Sequence, residues 1–502
     1  MTGEPVDLTK RPGPGAEPCA GQVAQAPTLP GTPDEQGWRR LHKVTPVLKG
    51  WKVLAVGLAL LTQQRGDDLL AGGDGPGRTE VLVTVGLLAT LAIGGVVFAA
   101  LSWRMTRYRV DGDVLQLHSG VLFRQQRQAR LDRLQAVDVV QPLLGRMFGL
   151  SELKLEVAGG AGSDIKLSYL EDDAAQRLRN VLLARSAGVV YEGQEAPQAP
   201  EDELVVVPVD RLLLSLVRSA GTVALVVGVV AVTVAALFQP GVLVGLIPMA
   251  LGVVSGYWGR FSRGFGFRVA ASPDGLRLRH GLVESRAQTV PPGRVQAVQM
   301  TQTLLWRGKD WWRLQVNVAG YGAGADGSES VETVLLPVAT RQEAFAVLSR
   351  VLPDLGTDDP AGLLAAAMSG SSPDQGFVVA PERARWLDPV AWRRHGIAVT
   401  SRVLVMRSGR LTRRAVLVPH ERTQSLGLVQ GPLQRRFAVA TLVAHSTPGP
   451  VSPTVEHLDQ HVAAELLHAQ ADRARQARAA SGPERWMQPL TTGTAPPSSG
   501  SA

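Results

Sequence analysis

The stretch GLVESRAQTVPPGRVQAVQMTQTLLWR, residues 281–307, carries Gly281, Arg294, Gln296, Gln302 and Arg307, and the same five residue types recur at the same spacing twice more. In GVLFRQQRQARLDRLQAVDVVQPLLGR (120–146) they are Gly120, Arg133, Gln135, Gln141 and Arg146. In GRLTRRAVLVPHERTQSLGLVQGPLQR (409–435) they are Gly409, Arg422, Gln424, Gln430 and Arg435. The shared pattern, G-x12-R-x-Q-x5-Q-x4-R, runs without a gap in all three copies and identifies an internal repeat. A chain of 502 residues exceeds what one core supports, so three units also agree with its length.

Around each template the residues read as short strands. Val114–His118, Leu276–Arg279 and Val403–Met406 each run into a Ser-Gly or His-Gly turn, and Leu153–Val157, Leu314–Val318 and Ala440–Val443 supply later strands. A helix is expected to close each unit, over Glu171–Ala184, Thr340–Val351 and Val455–Gln476, with a Leu/Val stripe at three- and four-residue intervals. Thr340 and Glu343 have the spacing of a capping box.

The apolar residues outside the repeats are clustered. Val81–Leu101 has no ionisable side chain and is long enough to cross a hydrocarbon core of about 30 Å. Val53–Leu61 precedes it and extends back to Val47 only by including Lys49 and Lys52, whose amines can snorkel. Ser219–Phe238 and Val242–Trp258, joined by Gln239, Pro240 and Gly241, form a second expected hairpin. Arg and Lys flank the outer ends of both hairpins, whereas Asp67, Asp68, Asp74 and Glu80 dominate the loop between the first two spans. This asymmetry predicts a multi-pass plasma-membrane protein with both termini cytoplasmic. The first 37 residues, rich in Pro, Gly and Ala, and residues 477–502 are expected to be disordered tails, and no secretory signal is expected.

Paired apolar spans ahead of a β-rich unit carrying R-x-Q, with Gln and Arg downstream, resemble the bacterial PH-like domains of YdbS/YdbT-like membrane proteins, formerly a domain of unknown function. The resemblance covers Trp38–Gln476. It implies an α+β multidomain membrane protein: four transmembrane helices in two hairpins, plus three PH-like half-open β-barrels, each capped by a C-terminal helix. The expected boundaries are hairpins at 44–103 and 211–259, PH-like units at 104–186, 260–353 and 382–476, and linkers at 187–210 and 354–381. The third unit departs from the pattern, because no apolar pair precedes it.

The repeated Arg and Gln have two readings: bidentate contacts to an anionic head group, or hydrogen bonds tying neighbouring strands and loops. From Glu382 to Phe437 there are 12 arginines against 3 acidic residues, and Arg410, Arg413 and Arg414 stand out as a basic surface able to attract an anionic leaflet. His457, His461, Glu465 and His468 have metal-ligand spacing along the expected last helix, but a solvated edge beside the Leu458, Val462 and Leu466 stripe accounts for them. No metal or cofactor is expected. Gly241/Gly245 and Gly252/Gly256 are candidate close-packing pairs. The single cysteine, Cys19, excludes an internal disulfide framework. No phosphate loop or nucleophile elbow occurs, so an enzyme is not expected, and no nucleic-acid module accompanies the arginines. The expected function is a non-enzymatic membrane-surface scaffold that binds protein partners, copies of itself or anionic lipid head groups. The alternative is a component of a membrane transport or export system, which the lack of ionisable residues inside the spans disfavours.

Overall fold

A computed structural model describes residues 38–40, 78–111, 114–120, 124–131, 134–157, 165–186, 202–239, 246–272, 275–291, 293–319 and 334–480. The strands are β1 (Arg39–Arg40), β2 (Arg107–Asp111), β3 (Val114–Ser119), β4 (Gln125–Arg130), β5 (Leu134–Pro142), β6 (Leu150–Val157) and β7 (Ile165–Glu171) in the first unit. The second has β8 (Asp202–Val206), β9 (Arg268–Ser272), β10 (Gly275–His280), β11 (Glu284–Val290), β12 (Val295–Gln302), β13 (Trp311–Val318) and β14 (Val334–Thr340). The third has β15 (Val378–Val379), β16 (Gly396–Val399), β17 (Val403–Ser408), β18 (Arg413–Pro419), β19 (Ser425–Val429), β20 (Val439–His445) and β21 (Thr454–Asp459). Each unit is thus a four-stranded antiparallel sheet followed by a three-stranded one and a closing helix.

The template glycine is explained by the turn it occupies. Gly120, Gly281 and Gly409 all have positive φ, at 109°, 113° and 74°. A methyl group on Gly281 would fall on the Glu284 carbonyl, and one on Gly409 on that of Thr412. Only a residue without Cβ fits such a reversal without strain. A second left-handed position lies three residues after the last template residue, past the short helix that carries it: Gly149, Asp310 and Ala438 occupy it.

The closing helices are Asp172–Ser186, Arg341–Val351 and Gln460–Ala480. Thr340 caps the second, with its hydroxyl accepting from Glu343 N and the Glu343 carboxylate accepting from Thr340 N. The last helix starts later than expected, because Thr454–Asp459 pairs with β20 as a strand. His457 therefore lies on β21 with left-handed φ of 60°, and the expected one-face series with His461, Glu465 and His468 does not form.

Sheets continue across unit boundaries. One seven-stranded sheet runs β7-β6-β5-β11-β10-β9-β8, and a second runs β14-β13-β12-β18-β17-β16-β15. The second sheet of each unit therefore pairs with the first sheet of the next, through β5–β11 and β12–β18. Unit one has its own core, with Tyr108, Leu115, Leu153 and Leu178 fully buried. A larger core spans units two and three, joining Trp312, Leu336 and Val347 to Val405 and Leu417. The helix Pro360–Ser369, which lies in the segment expected to be a linker, inserts Leu363, Leu364, Ala367 and Met368 into that shared core.

In units one and two the apolar helices are inserted between the first and second strands rather than ahead of them. Between β1 and β2 lies the helix Arg78–Met105, and between β8 and β9 lie Val209–Val217, Ala220–Phe238 and Leu246–Gly264. Among the described residues one helix, Ala220–Phe238, is long and apolar enough by itself to cross a bilayer. The expected span Val53–Leu61 lies outside the described residues, as does the start of Val242–Trp258. The helix Leu246–Gly264 carries Arg260 and Arg263 near its end. Of the four expected transmembrane helices the fold by itself therefore supports one, Ala220–Phe238.

Candidate membrane-facing site and repeat junction

Two template residues of the second unit, Gln302 and Arg307, reach across its junction with the third. Gln302 ends β12 and is buried; its Oε1 accepts from Arg413 Nη1 of the next unit at 3.1 Å, and its amide donates to Asp310 Oδ1 at 3.2 Å. Arg307, one turn later, donates from Nη2 to the Arg410 carbonyl and, at 3.3 Å, to that of Leu411 in the β17–β18 turn. Burial lowers the Arg307 pKa, and the neighbouring Arg413 and Arg410 guanidiniums lower it further. At this junction the repeated Gln and Arg bond protein groups.

The other copies are placed differently. Gln141, next to last in β5, lies opposite Ser285 of the second unit, and Arg146 is exposed on the short helix Leu143–Met147. Arg133 and the Gln135 side chain lie outside the described residues. The Arg294 carbonyl accepts from Ala319 N at 3.0 Å and from the Gln296 amide at 3.4 Å, fixing the crossover between the two sheets. Arg422 ends the 3-10 turn His420–Arg422, and the backbone N–H of the exposed Gln424 donates to the His445 carbonyl. Gln430 donates to the Val439 carbonyl and to Gln460 Oε1, both at 3.1 Å, while Arg435 is exposed.

The arginine-rich stretch divides into buried and exposed groups, which composition alone hides. Arg394 and Arg407 are 6% and 1% exposed. Arg394 donates to the carbonyls of Gly370 and Ala367, and Arg407 to those of Ala366 and Ser372, with its guanidinium 4.1 Å from the Phe377 ring centroid. Both satisfy the open carbonyl end of the helix Pro360–Ser369, where positive charge is favoured. Burial pulls each guanidinium down to about 10, with Arg413 a further repulsive neighbour of Arg394. Arg383 pairs with Asp459, and Arg402 with Asp354 at 3.3 Å. Of the expected basic surface, Arg410 and Arg414 are exposed, whereas Arg413 is half-buried in the junction.

The exposed remainder is mixed with apolar groups. Between β15 and β16, where the other units insert apolar helices, residues 380–395 form two short 3-10 turns, Glu382–Trp386 and Trp392–Arg394. Trp386 is 69% exposed and Val390 50%, beside exposed Arg385 and Arg393. The Arg385 and Arg393 guanidiniums lie over the Trp386 and Trp392 rings at 5.4 and 5.3 Å. Leu304, Leu305 and Leu411 are also exposed, next to Arg307 and Arg410. This junction is tied to the base of the apolar hairpin: Trp306 Nε1 donates to the Ser215 carbonyl at 3.1 Å, four residues before Ser219. The hairpin is pinned there by Tyr257, whose hydroxyl lies 2.5 Å from Thr222 Oγ1 and 3.3 Å from Ser219 Oγ.

His395, buried, lies with Nε2 2.8 Å from Asp388 Oδ2, and Glu456 completes a three-residue group with metal-ligand atoms in reach. Asp388 is held below the usual carboxylate range by hydrogen bonds from His395 and from Ala391 N, which outweigh its partial burial. The arrangement reads as a His–Asp pair that braces the 380–395 connection just ahead of β16.

The Bacterial PH domain family model matches this chain three times, over residues 56–186, 215–355 and 355–474. The chain is also 20% identical over 300 residues to the "UPF0699 transmembrane protein YdbT" of Bacillus subtilis (strain 168). That alignment covers 53% of this chain and 60% of the relative, so the chain spans less than two thirds of the protein it matches.

Proposed function

This chain belongs to the bacterial PH domain family, with three copies of the domain, and from that premise we propose that it is a non-enzymatic scaffold. Its apolar hairpins fix the three units against the cytoplasmic leaflet, where they bind partner proteins or anionic head groups. A membrane location agrees with the name of its transmembrane relative. The four-span topology and the cytoplasmic termini rest on the charge asymmetry of the sequence.

One observation carries the reading. The connection between first and second strands holds apolar helices in units one and two, and in unit three it holds exposed Trp386 and Val390 beside arginines. Tryptophan and arginine together suit the interface between head groups and acyl chains. Each basic residue near an anionic leaflet adds about 1 kcal/mol of attraction. Unit three thereby rests on the surface that units one and two enter, and tethering lets individually weak sites act together.

The test uses Val390→Cys in a Cys19→Ser background, labelled with an environment-sensitive fluorophore in proteoliposomes containing anionic lipid. Quenching by lipids carrying a nitroxide high on the acyl chain is the expected result. A label quenched only by a water-soluble agent would reject surface docking of unit three.

A further inference from the structure

The two internal junctions obey one register. In the first, Gln141 lies opposite Ser285, and in the second Gln302 lies opposite Arg413. In both, the residue twenty-one positions after a unit's template glycine faces the residue four positions after the glycine of the next unit. The neighbours follow: Val139 opposite Ala287 in the first junction has the same offsets as Met300 opposite Ala415 in the second. The repeat therefore encodes a connector as well as a domain, with the first strand of one unit's second sheet joining the last strand of the next unit's first sheet.

Each connector half is left over once among the described residues. Among the described residues β19 is a terminal strand in the order β19-β20-β21, and β4 is a terminal strand in the order β1-β2-β3-β4. β19 is the unit-three counterpart of β5 and β12, and β4 is the unit-one counterpart of β11 and β18. Val429 and Leu428 are 57% and 38% exposed, and Gln125, Gln126 and Gln128 are exposed on β4. An exposed terminal strand is a template on which another strand can pair.

We propose that β19 of one molecule pairs antiparallel with β4 of a second copy of this chain, in the register of the internal junctions, so that molecules join head to tail. The register places Gln430 opposite Arg124, Val429 opposite Gln125 and Leu428 opposite Gln126. A Gln–Arg pair at the end of the ladder then repeats the Gln302–Arg413 contact, whose glutamine likewise spends its amide on its own unit. Arginine on an edge strand commonly discourages pairing. Here it does not, because β18 carries Arg413 and Arg414 and still pairs with β12. A heterologous contact of this kind closes into rings or propagates as filaments. Apolar hairpins confine all copies to one plane and one orientation, which raises the effective concentration of a five-residue edge. The proposal rests on sheet pairing and stands independently of lipid binding by unit three.

The experiment is in-membrane disulfide trapping in the Cys19→Ser background. Gln126→Cys and Leu428→Cys chains, carrying different tags, are co-expressed and oxidised in isolated membranes. The expected result is a cross-linked dimer containing both tags, several-fold more abundant than dimers of either variant alone and than the out-of-register pair Gln128→Cys with Leu428→Cys. Val139→Cys with Ala287→Cys in one chain is the positive control, because it places the same two offsets across an internal junction. A control that bridges while the two-tag dimer stays at the out-of-register level overturns the proposal. So does a dominant same-tag dimer, or a Gln126→Cys/Leu428→Cys chain that bridges only within itself. Capture of β4 or β19 by a different protein in place of a second copy also overturns it.

Discussion

At the residue scale, the repeat is written by positions that have different duties. The glycine is a backbone requirement, shared by Gly120, Gly281 and Gly409 because all three reverse the chain with positive φ. Gly281→Ala forces a methyl group onto the Glu284 carbonyl, and the expected cost is about 1–3 kcal/mol, read as a lower thermal unfolding midpoint in detergent. An unchanged midpoint would mean that the turn relaxes freely. The later Gln and Arg were visible in the sequence as a pattern, but their partners were not. Arg307 reaches the turn of the following unit, more than a hundred residues away, and nothing local announces such a contact. The choice between head-group ligand and structural tie depended on those partners, and at this junction they are protein atoms.

At the element scale, strand positions were legible where a short alternating or continuous apolar run ended in a Gly turn: Leu276–Arg279 alternates, whereas Val403–Met406 is apolar throughout because β17 is buried on both faces. The start of the last helix was not, since Val455 and Leu458 satisfy both a helical stripe and the buried face of β21. Tertiary pairing with β20 decided it. Two elements were missed for related reasons. β8 is a short strand in a stretch read as linker, and it becomes a strand only by pairing with β9 across an intervening apolar hairpin. The helix Pro360–Ser369 lay in a polar, Gly-rich stretch, and it is held by Asp359 at its start and, at its end, by Arg394 from a 3-10 turn and Arg407 from β17. Arg407→Met is expected to leave the Ser372 carbonyl without its guanidinium donor and the Ala366 carbonyl with the Gly370 N–H alone, and to destabilise unit three by about 2–4 kcal/mol. Denaturant unfolding of the purified protein measures this. A loss below about 0.5 kcal/mol would show that water replaces the guanidinium and that the arginine is not the helix terminator.

At the scale of the whole molecule, domain count and membrane association could be read from periodicity and apolar clustering, because both are properties of composition along the chain. The way the units join could not, because a shared sheet is a non-local pairing whose register appears only when two repeats are compared in space. The outcome is a linear array, in which each unit completes a sheet with its neighbour and units two and three also share a core. Such an array suits a scaffold that presents the same fold three times along a membrane surface. The central claim is that all three units lie on the cytoplasmic side. Its most direct measurement is labelling by a membrane-impermeant maleimide of exposed single-cysteine variants, Gln128→Cys, Arg350→Cys and Arg436→Cys in Cys19→Ser, one in each unit. The account predicts labelling in inverted membrane vesicles and none in intact cells at all three positions; labelling of any unit from outside intact cells would contradict it.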